Sequence, residues 1–110
     1  MTTLTSSLDR RRNMVDCQLR TFDVTDLAVQ DAFLVVPRER FLGQADEAVA
    51  YSDAALVLRK GQSQRGLLLP MVLARLLQSA ELDQSSRVLD VGGATSYSAA
   101  ILAKLAGHVV

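Results

Sequence analysis

Tryptophan is absent from this chain, and aromatic residues make up only 5% of it. Cys17 is the single cysteine, which excludes an internal disulfide and favours a reducing compartment. His108 is the single histidine, so no zinc-site pattern and no cysteine–histidine pair for nucleophilic catalysis is present. We therefore predict that the chain holds no metal, and we interpret Cys17 as a small packed side chain.

An excess of charge and a long apolar run are also missing. Twelve basic and twelve acidic residues give a formal net charge of zero, which argues against general binding to nucleic acid or to membrane surfaces. Residues 1–7 lack the apolar core of a signal peptide, and no apolar stretch is long enough to span a bilayer. We therefore expect a cytoplasmic protein without a nucleic-acid or membrane partner.

Hydrophobic periodicity predicts three helices ahead of residue 81. The 110 residues, 49% of them hydrophobic, fit one globular domain. In the first helix Leu8, Val15, Leu19 and Phe22 would form one apolar stripe. The second helix would begin at Thr25 and end before Pro37, and the third would begin at Pro70. Residues 44–66 are less regular and include a polar loop at 60–66.

Residues 87–110 read as a strand, a turn of small residues, a helix and the opening of a second strand. Val88, Leu89 and Val91 are typical of a strand covered on both faces, and residues 97–106 are helix-forming throughout. Small residues in such a turn allow a ligand to approach the backbone. The pattern alone fits either an ordinary α/β turn or a ligand site, and it does not fit the dinucleotide motif G-x-G-x-x-G.

Six stretches follow one another in the order found in a known family. They are residues 14–19, 36–41, 50–53, 70–75, 88–92 and 97–100, and Val-Pro-Arg-x-x-Phe followed by Ala-Tyr-x-Asp is the most specific part. Together they cover nearly the whole chain and resemble the protein-L-isoaspartate O-methyltransferases.

The resemblance implies an α/β fold: a helical N-terminal lead-in followed by the start of a Rossmann-like, doubly wound parallel sheet. Residues 1–66 would form the lead-in, and residues 67–110 would form the first, incomplete part of a domain that binds S-adenosyl-L-methionine. The family's turn holds the methionine part of this cofactor. By resemblance, the cofactor-binding residues are Asp90, Gly92, Gly93, Ala94, Thr95, Ser96 and Tyr97.

The activity implied by the resemblance is protein repair, by methyl transfer to the carboxylate of isoaspartyl residues in damaged proteins. Such a carboxylate is already ionised at neutral pH, so the step needs positioning more than acid–base catalysis. We therefore name no catalytic side chain. The predicted partners are isoaspartyl-containing proteins or peptides.

The sequence departs from the family pattern in three places. Ala94 and Ser96 stand where the family has its second and third glycines, and Leu68 stands where it has a serine or threonine. The acidic residue expected to hold the ribose hydroxyls would come just after Val110. We therefore expect a truncated chain that is inactive alone and able to self-associate through its incomplete sheet. Two alternatives remain: a non-catalytic interaction module, and a related methyltransferase with a different acceptor.

Overall fold

A computed structural model describes residues 7–41, 50–51, 56–59, 65–91 and 96–110 of the chain. The helices are α1 (Ser7–Met14), α2 (Leu27–Val35), α3 (Pro70–Ala80) and α4 (Tyr97–Leu105), and the strands are β1 (Leu56–Arg59), β2 (Arg65–Leu67), β3 (Arg87–Val88) and β4 (His108–Val109). A π-helical turn (Val15–Leu19) and two 3₁₀ turns (Arg20–Phe22 and Arg38–Phe41) complete the described elements.

The first helical segment does not keep one regular helical geometry. After α1 the backbone widens into the π-helical turn and then tightens into the 3₁₀ turn that ends at Phe22. The number of residues per turn therefore changes twice, and the spacing of a regular helix no longer places all four predicted apolar residues on one face. Val15 and Leu19 are buried as predicted, but Leu8 and Phe22 are exposed. Cys17 is also exposed, so its interpretation as a packed side chain was wrong.

Helix α2 begins at Leu27, two residues after the predicted start at Thr25. Asp26 is its N-cap, and the Asp26 carboxylate accepts hydrogen bonds from the backbone N–H groups of Ala28 and Val29 at 2.9 and 3.4 Å. Such a cap satisfies N–H groups that have no partner within the helix. At the other end, Val36 is extended ahead of Pro37, which confirms the predicted stop.

A side chain of helix α3 is hydrogen-bonded to the backbone that connects the first two helical segments. Pro70 lies at its first turn, as predicted. The Gln78 side chain accepts hydrogen bonds from the backbone N–H groups of Thr25 and Asp26 at 2.7 and 2.8 Å, and it donates to the carbonyl of Asp23 at 3.0 Å. Asp23 is left-handed (φ 63°), and these three bonds fix the turn around it, which local sequence does not dictate.

The described strands form two separate two-stranded sheets, an antiparallel β1–β2 pair and a parallel β3–β4 pair. Helix α4 connects β3 to β4, so the predicted strand–helix–strand unit is present. Beyond the paired residues, the Asp90 N–H donates to the Val110 carbonyl at 2.9 Å, and the Val110 N–H donates to the Val88 carbonyl at 3.0 Å. These bonds fix the backbone at the carboxyl end of β3.

The prediction of a strand covered on both faces was wrong for the described residues. Val88 and Val109 pack against the hydrophobic core. In contrast, Leu89 is 69% exposed and Val91 is 80% exposed. Parallel sheets usually bury both faces, so this apolar surface is unusual for β3 and β4.

Helices α2, α3 and α4 share one hydrophobic core, which includes Phe33, Leu73 and Ile101. This core draws on residues from both sides of position 66, and strand β2 (Arg65–Leu67) spans that position. The division into a lead-in and a cofactor domain stays a prediction. In the part of the chain that the structure describes, no helix has both the length and the apolar character needed to cross a membrane.

Candidate functional site

Asp90 occupies the carboxyl end of β3, where a strand of this type meets its ligand. Its backbone N–H is bound to the Val110 carbonyl, and its half-buried side chain accepts a hydrogen bond from the Ser98 hydroxyl at 2.7 Å. Ser98 lies in the first turn of α4, eight positions along the chain. The strand end and the helix start are therefore joined directly by one charge-assisted hydrogen bond.

Ser96 is the residue just before α4, and its backbone is left-handed, with φ 72° and ψ 15°. A residue with a Cβ atom adopts this conformation at a cost of about 1–2 kcal/mol, whereas glycine adopts it freely. Ser96 stands where the family pattern has its third glycine. In this chain the backbone enters α4 through a left-handed residue, a conformation for which glycine would carry no steric cost.

Tyr97 opens α4 and places its ring in the core, where the residue is 1% exposed. Phe33 and Phe41 contact the ring edge-on, with centroids 6.2 and 5.7 Å away. Burial raises the pKa of the Tyr97 hydroxyl to about 12, although the positive charge of Arg38 acts in the opposite direction. Tyr97 therefore anchors the first turn of α4 by its side chain.

Arg38 is a buried cation that sequence reasoning did not single out. Its side chain is 1% exposed, its Nε atom donates to the Ala50 carbonyl at 2.7 Å, and its guanidinium carbon lies 4.8 Å from the centroid of the Tyr97 ring. Arg38 belongs to the Val-Pro-Arg stretch at 36–38, which contributed to the family resemblance. The sequence pattern did not indicate what the arginine side chain does. In the structure Arg38 connects the segment after α2 to the start of α4.

Glu39 lies next to this contact and accepts hydrogen bonds from the hydroxyls of Ser7 and Tyr51. Burial acts to raise the pKa of Glu39, but the two hydroxyl bonds, a backbone bond and the charge of Arg11 outweigh it, so the pKa lies below its ordinary value. Burial and the Glu39 carboxylate raise the pKa of Tyr51. This cluster ties α1 to the segment around Arg38.

The structure tests the predicted cofactor residues only in part. Asp90, Ser96 and Tyr97 are brought to the junction of β3 and α4, whereas Gly92, Gly93, Ala94 and Thr95 lie outside the described residues. Sequence reasoning did not predict a role for Ser98. The feature that could have indicated one is that Ser98 and Lys104 are the strongly polar residues of an otherwise apolar helix. The described ranges contain no group of three histidine, cysteine, aspartate or glutamate side chains able to hold a metal ion.

A pair of parallel strands joined by a helix, with an acidic residue after the first strand, is typical of α/β proteins of the Rossmann-like class. Residues 10–110 match the family model described as protein-L-isoaspartate(D-aspartate) O-methyltransferase. The chain belongs to this family, which confirms the resemblance inferred from the sequence.

The relatives agree with this assignment. The chain is 37% identical over 101 residues to protein-L-isoaspartate O-methyltransferase 1 of Geotalea uraniireducens, covering 92% of this chain and 45% of that protein. It is 40% identical over 92 residues to protein-L-isoaspartate O-methyltransferase of Bradyrhizobium sp., covering 84% and 41%. The chain thus spans less than half the length of these relatives.

A solved structure supports the fold. The chain matches a protein-L-isoaspartate O-methyltransferase with a TM-score of 0.78 and 30% identity, covering 90% of this chain and 32% of the other. The predicted fold class, a helical lead-in followed by the start of a parallel Rossmann-like sheet, is confirmed. The assignment of individual cofactor-binding residues stays a prediction.

Proposed function

We propose that this chain supplies the S-adenosyl-L-methionine-binding part of an enzyme that methylates isoaspartyl residues in damaged proteins. The observation that carries the proposal is the placement of Asp90 at the carboxyl end of β3, hydrogen-bonded to Ser98 and followed along the chain by the left-handed Ser96. Family membership supports the reaction, and the names of the relatives supply the acceptor.

The described residues fit such a cofactor chemically. S-adenosyl-L-methionine carries an ammonium group and hydroxyl groups, and a half-buried carboxylate is a strong acceptor for donors of this kind. When bound, the cofactor supplies an already activated methyl group on its sulfonium. The residues of this chain would hold the cofactor with fixed backbone and carboxylate groups, since effective methyl transfer depends on the orientation of the cofactor.

One observation favours a second candidate, a non-catalytic interaction module. Leu68, in the position where the family pattern has a serine or threonine, is 52% exposed. A leucine side chain cannot donate a hydrogen bond to an isoaspartyl carboxylate. If Leu68 faces the acceptor, this chain would recognise the acceptor weakly or would bind a different one.

We also propose a cytoplasmic location for the protein. Cys17 is a free and exposed thiol. Such a thiol stays reduced in a reducing compartment, and it would pair or oxidise in an oxidising one.

The test of the proposed function is calorimetric titration of the purified chain with S-adenosylhomocysteine, after circular dichroism has shown that the chain is folded. We expect micromolar binding that is weakened about tenfold or more in Asp90→Ala and kept in the control Asp31→Ala, which alters an exposed aspartate on α2. Methyl transfer to an isoaspartyl peptide would then identify the acceptor. A folded chain without binding would support the interaction module instead.

A further inference from the structure

We propose that Ser98 is a positioning residue that holds the Asp90 carboxylate in the orientation needed to receive a ligand. The inference rests on the proposed function, because it assumes that Asp90 contacts the cofactor. It goes further by assigning a role to a residue outside the predicted set of ligand contacts.

The backbone on both sides of the hydrogen bond is fixed. At one end, the Asp90 N–H is held by the Val110 carbonyl at 2.9 Å, just beyond the paired residues of β3 and β4. At the other end, Ser98 follows Tyr97, whose ring is anchored in the core. The Ser98 hydroxyl therefore approaches Asp90 from a rigid support.

The bond from Ser98 uses one oxygen of the Asp90 carboxylate. Oδ2 of Asp90 accepts from Ser98 at 2.7 Å, and this is the single hydrogen bond that the Asp90 side chain makes to the described residues. With Oδ2 held in place, rotation of the carboxylate is restricted and Oδ1 has a defined direction. A ligand that donates to Oδ1 then meets a preorganised acceptor and loses less free energy in ordering it.

A purely structural role for Ser98 makes a different prediction. If the bond only joined the strand end to the helix start, its loss would lower the stability of the chain. The measured ligand affinity would then fall only because part of the chain is unfolded. If Ser98 positions Asp90, its loss lowers affinity in the folded chain, and the effect depends on the presence of the Asp90 carboxylate. A double-mutant cycle separates these roles.

The experiment measures S-adenosylhomocysteine affinity by calorimetry for the full chain and for Ser98→Ala, Asp90→Ala and the double variant. Ser98→Thr tests rescue, because threonine retains the hydroxyl. Ser79→Ala is the matched control: Ser79 is also a helical serine, but its hydroxyl bonds to the Arg75 carbonyl within α3. Thermal melts of all variants report stability separately.

We expect Ser98→Ala to bind S-adenosylhomocysteine about tenfold more weakly than the unaltered chain does. This is the size of effect expected when one hydrogen bond to a charged group is lost. Ser98→Thr should recover most of the affinity, and Ser79→Ala should retain all of it. In the Asp90→Ala background, measured at high ligand concentration, Ser98→Ala should change affinity less than about twofold.

Two results would overturn the inference. One of them leaves the proposed function intact, and the other refutes the proposed function as well. Equal affinities for the unaltered chain and Ser98→Ala, or the same loss with and without Asp90, would refute the positioning role and leave the proposed function intact. A folded, unaltered chain that binds no S-adenosylhomocysteine would refute the proposed function, and the inference with it.

Discussion

The guanidinium carbon of Arg38 lies 4.8 Å from the centroid of the Tyr97 ring, and both residues are 1% exposed. This contact joins the segment after α2 to the first residue of the helix that follows the candidate cofactor turn. A buried cation over an aromatic face contributes more than an exposed one, because little water competes with the ring. The segment that contains Arg38 therefore supports the position of α4.

Replacement of Arg38 by alanine should destabilise the chain by about 3 kcal/mol, because the change leaves a cavity and removes the donor to the Ala50 carbonyl. Arg38→Lys should recover only part of this loss, since lysine lacks the planar fork that stacks on the ring and donates from Nε. Urea unfolding measures the difference. Arg40→Ala, at an exposed neighbouring position, should change stability by less than about 0.5 kcal/mol. Equal effects at the two arginines would contradict the role of the Arg38 contact.

Replacement of Ser96 by glycine should stabilise the chain by about 0.5–1 kcal/mol. The variant removes the left-handed strain at φ 72°, and part of the gain is offset because glycine has more backbone freedom when unfolded. Chemical denaturation of the two chains gives the value. Ser79→Gly is the opposite-sign control, because glycine inside α3 should lower stability by a few tenths of a kcal/mol or more. A loss of stability in Ser96→Gly would show that Ser96 is not strained.

The Glu39 cluster predicts a pH dependence of stability. Because the pKa of Glu39 is lower in the folded chain than its ordinary value of 4.5, ionised Glu39 stabilises the fold at neutral pH. This contribution is fully present above pH 4.5 and is lost as the pH falls through the lower, folded-state value. Thermal melts of the unaltered chain and of Glu39→Gln should therefore differ at pH 7 and converge in acid.

Tyr51→Phe provides a graded comparison for the same cluster, because it removes one of the two hydroxyl donors to Glu39 and keeps the ring. We expect it to retain part of the acid-dependent loss of stability. If Glu39→Gln and the unaltered chain differ by the same amount at pH 7 and pH 3, the assignment of the pH dependence to Glu39 is wrong.

The exposed apolar residues that follow β3 and β4 predict self-association of the chain. Leu89, Val91 and Val110 are each at least 69% exposed, and parallel sheets rarely leave such a face open to water. Leu89→Lys should shift sedimentation toward the monomer at micromolar concentration. Leu27→Lys is the matched control, since Leu27 is also 69% exposed but is the first residue of α2 and does not belong to this strand pair. A monomeric unaltered chain would refute the prediction.

The amino-acid sequence by itself determined the elements with strong local signals. Pro70 marked the start of α3, Pro37 the end of α2, and the apolar run with a small-residue turn predicted β3, α4 and β4. These signals are local, because proline restricts its neighbours and hydrophobic periodicity reports which face is buried. The family resemblance came from the same local stretches.

Only the tertiary structure decided which of these residues act together. The π-helical turn after Met14 changed the face of the first helical segment, and Gln78 fixed a left-handed turn more than fifty residues away. A Cβ atom at Gly107, which follows α4, would lie 1.9 Å from the Gln84 carbonyl oxygen, so glycine at this position permits a close contact between segments that are distant in sequence.

In the candidate site, too, the sequence predicted individual residues, whereas the tertiary structure decided which of them are in contact. Asp90 and Ser96 could be named from the pattern, whereas the bond from Ser98 to Asp90 and the stacking of Arg38 on Tyr97 could not. Both contacts join residues on different elements, and their geometry depends on how the helices pack around a shared core. Periodicity and turn chemistry specify each element separately, while the relative positions of side chains on two elements are set by packing.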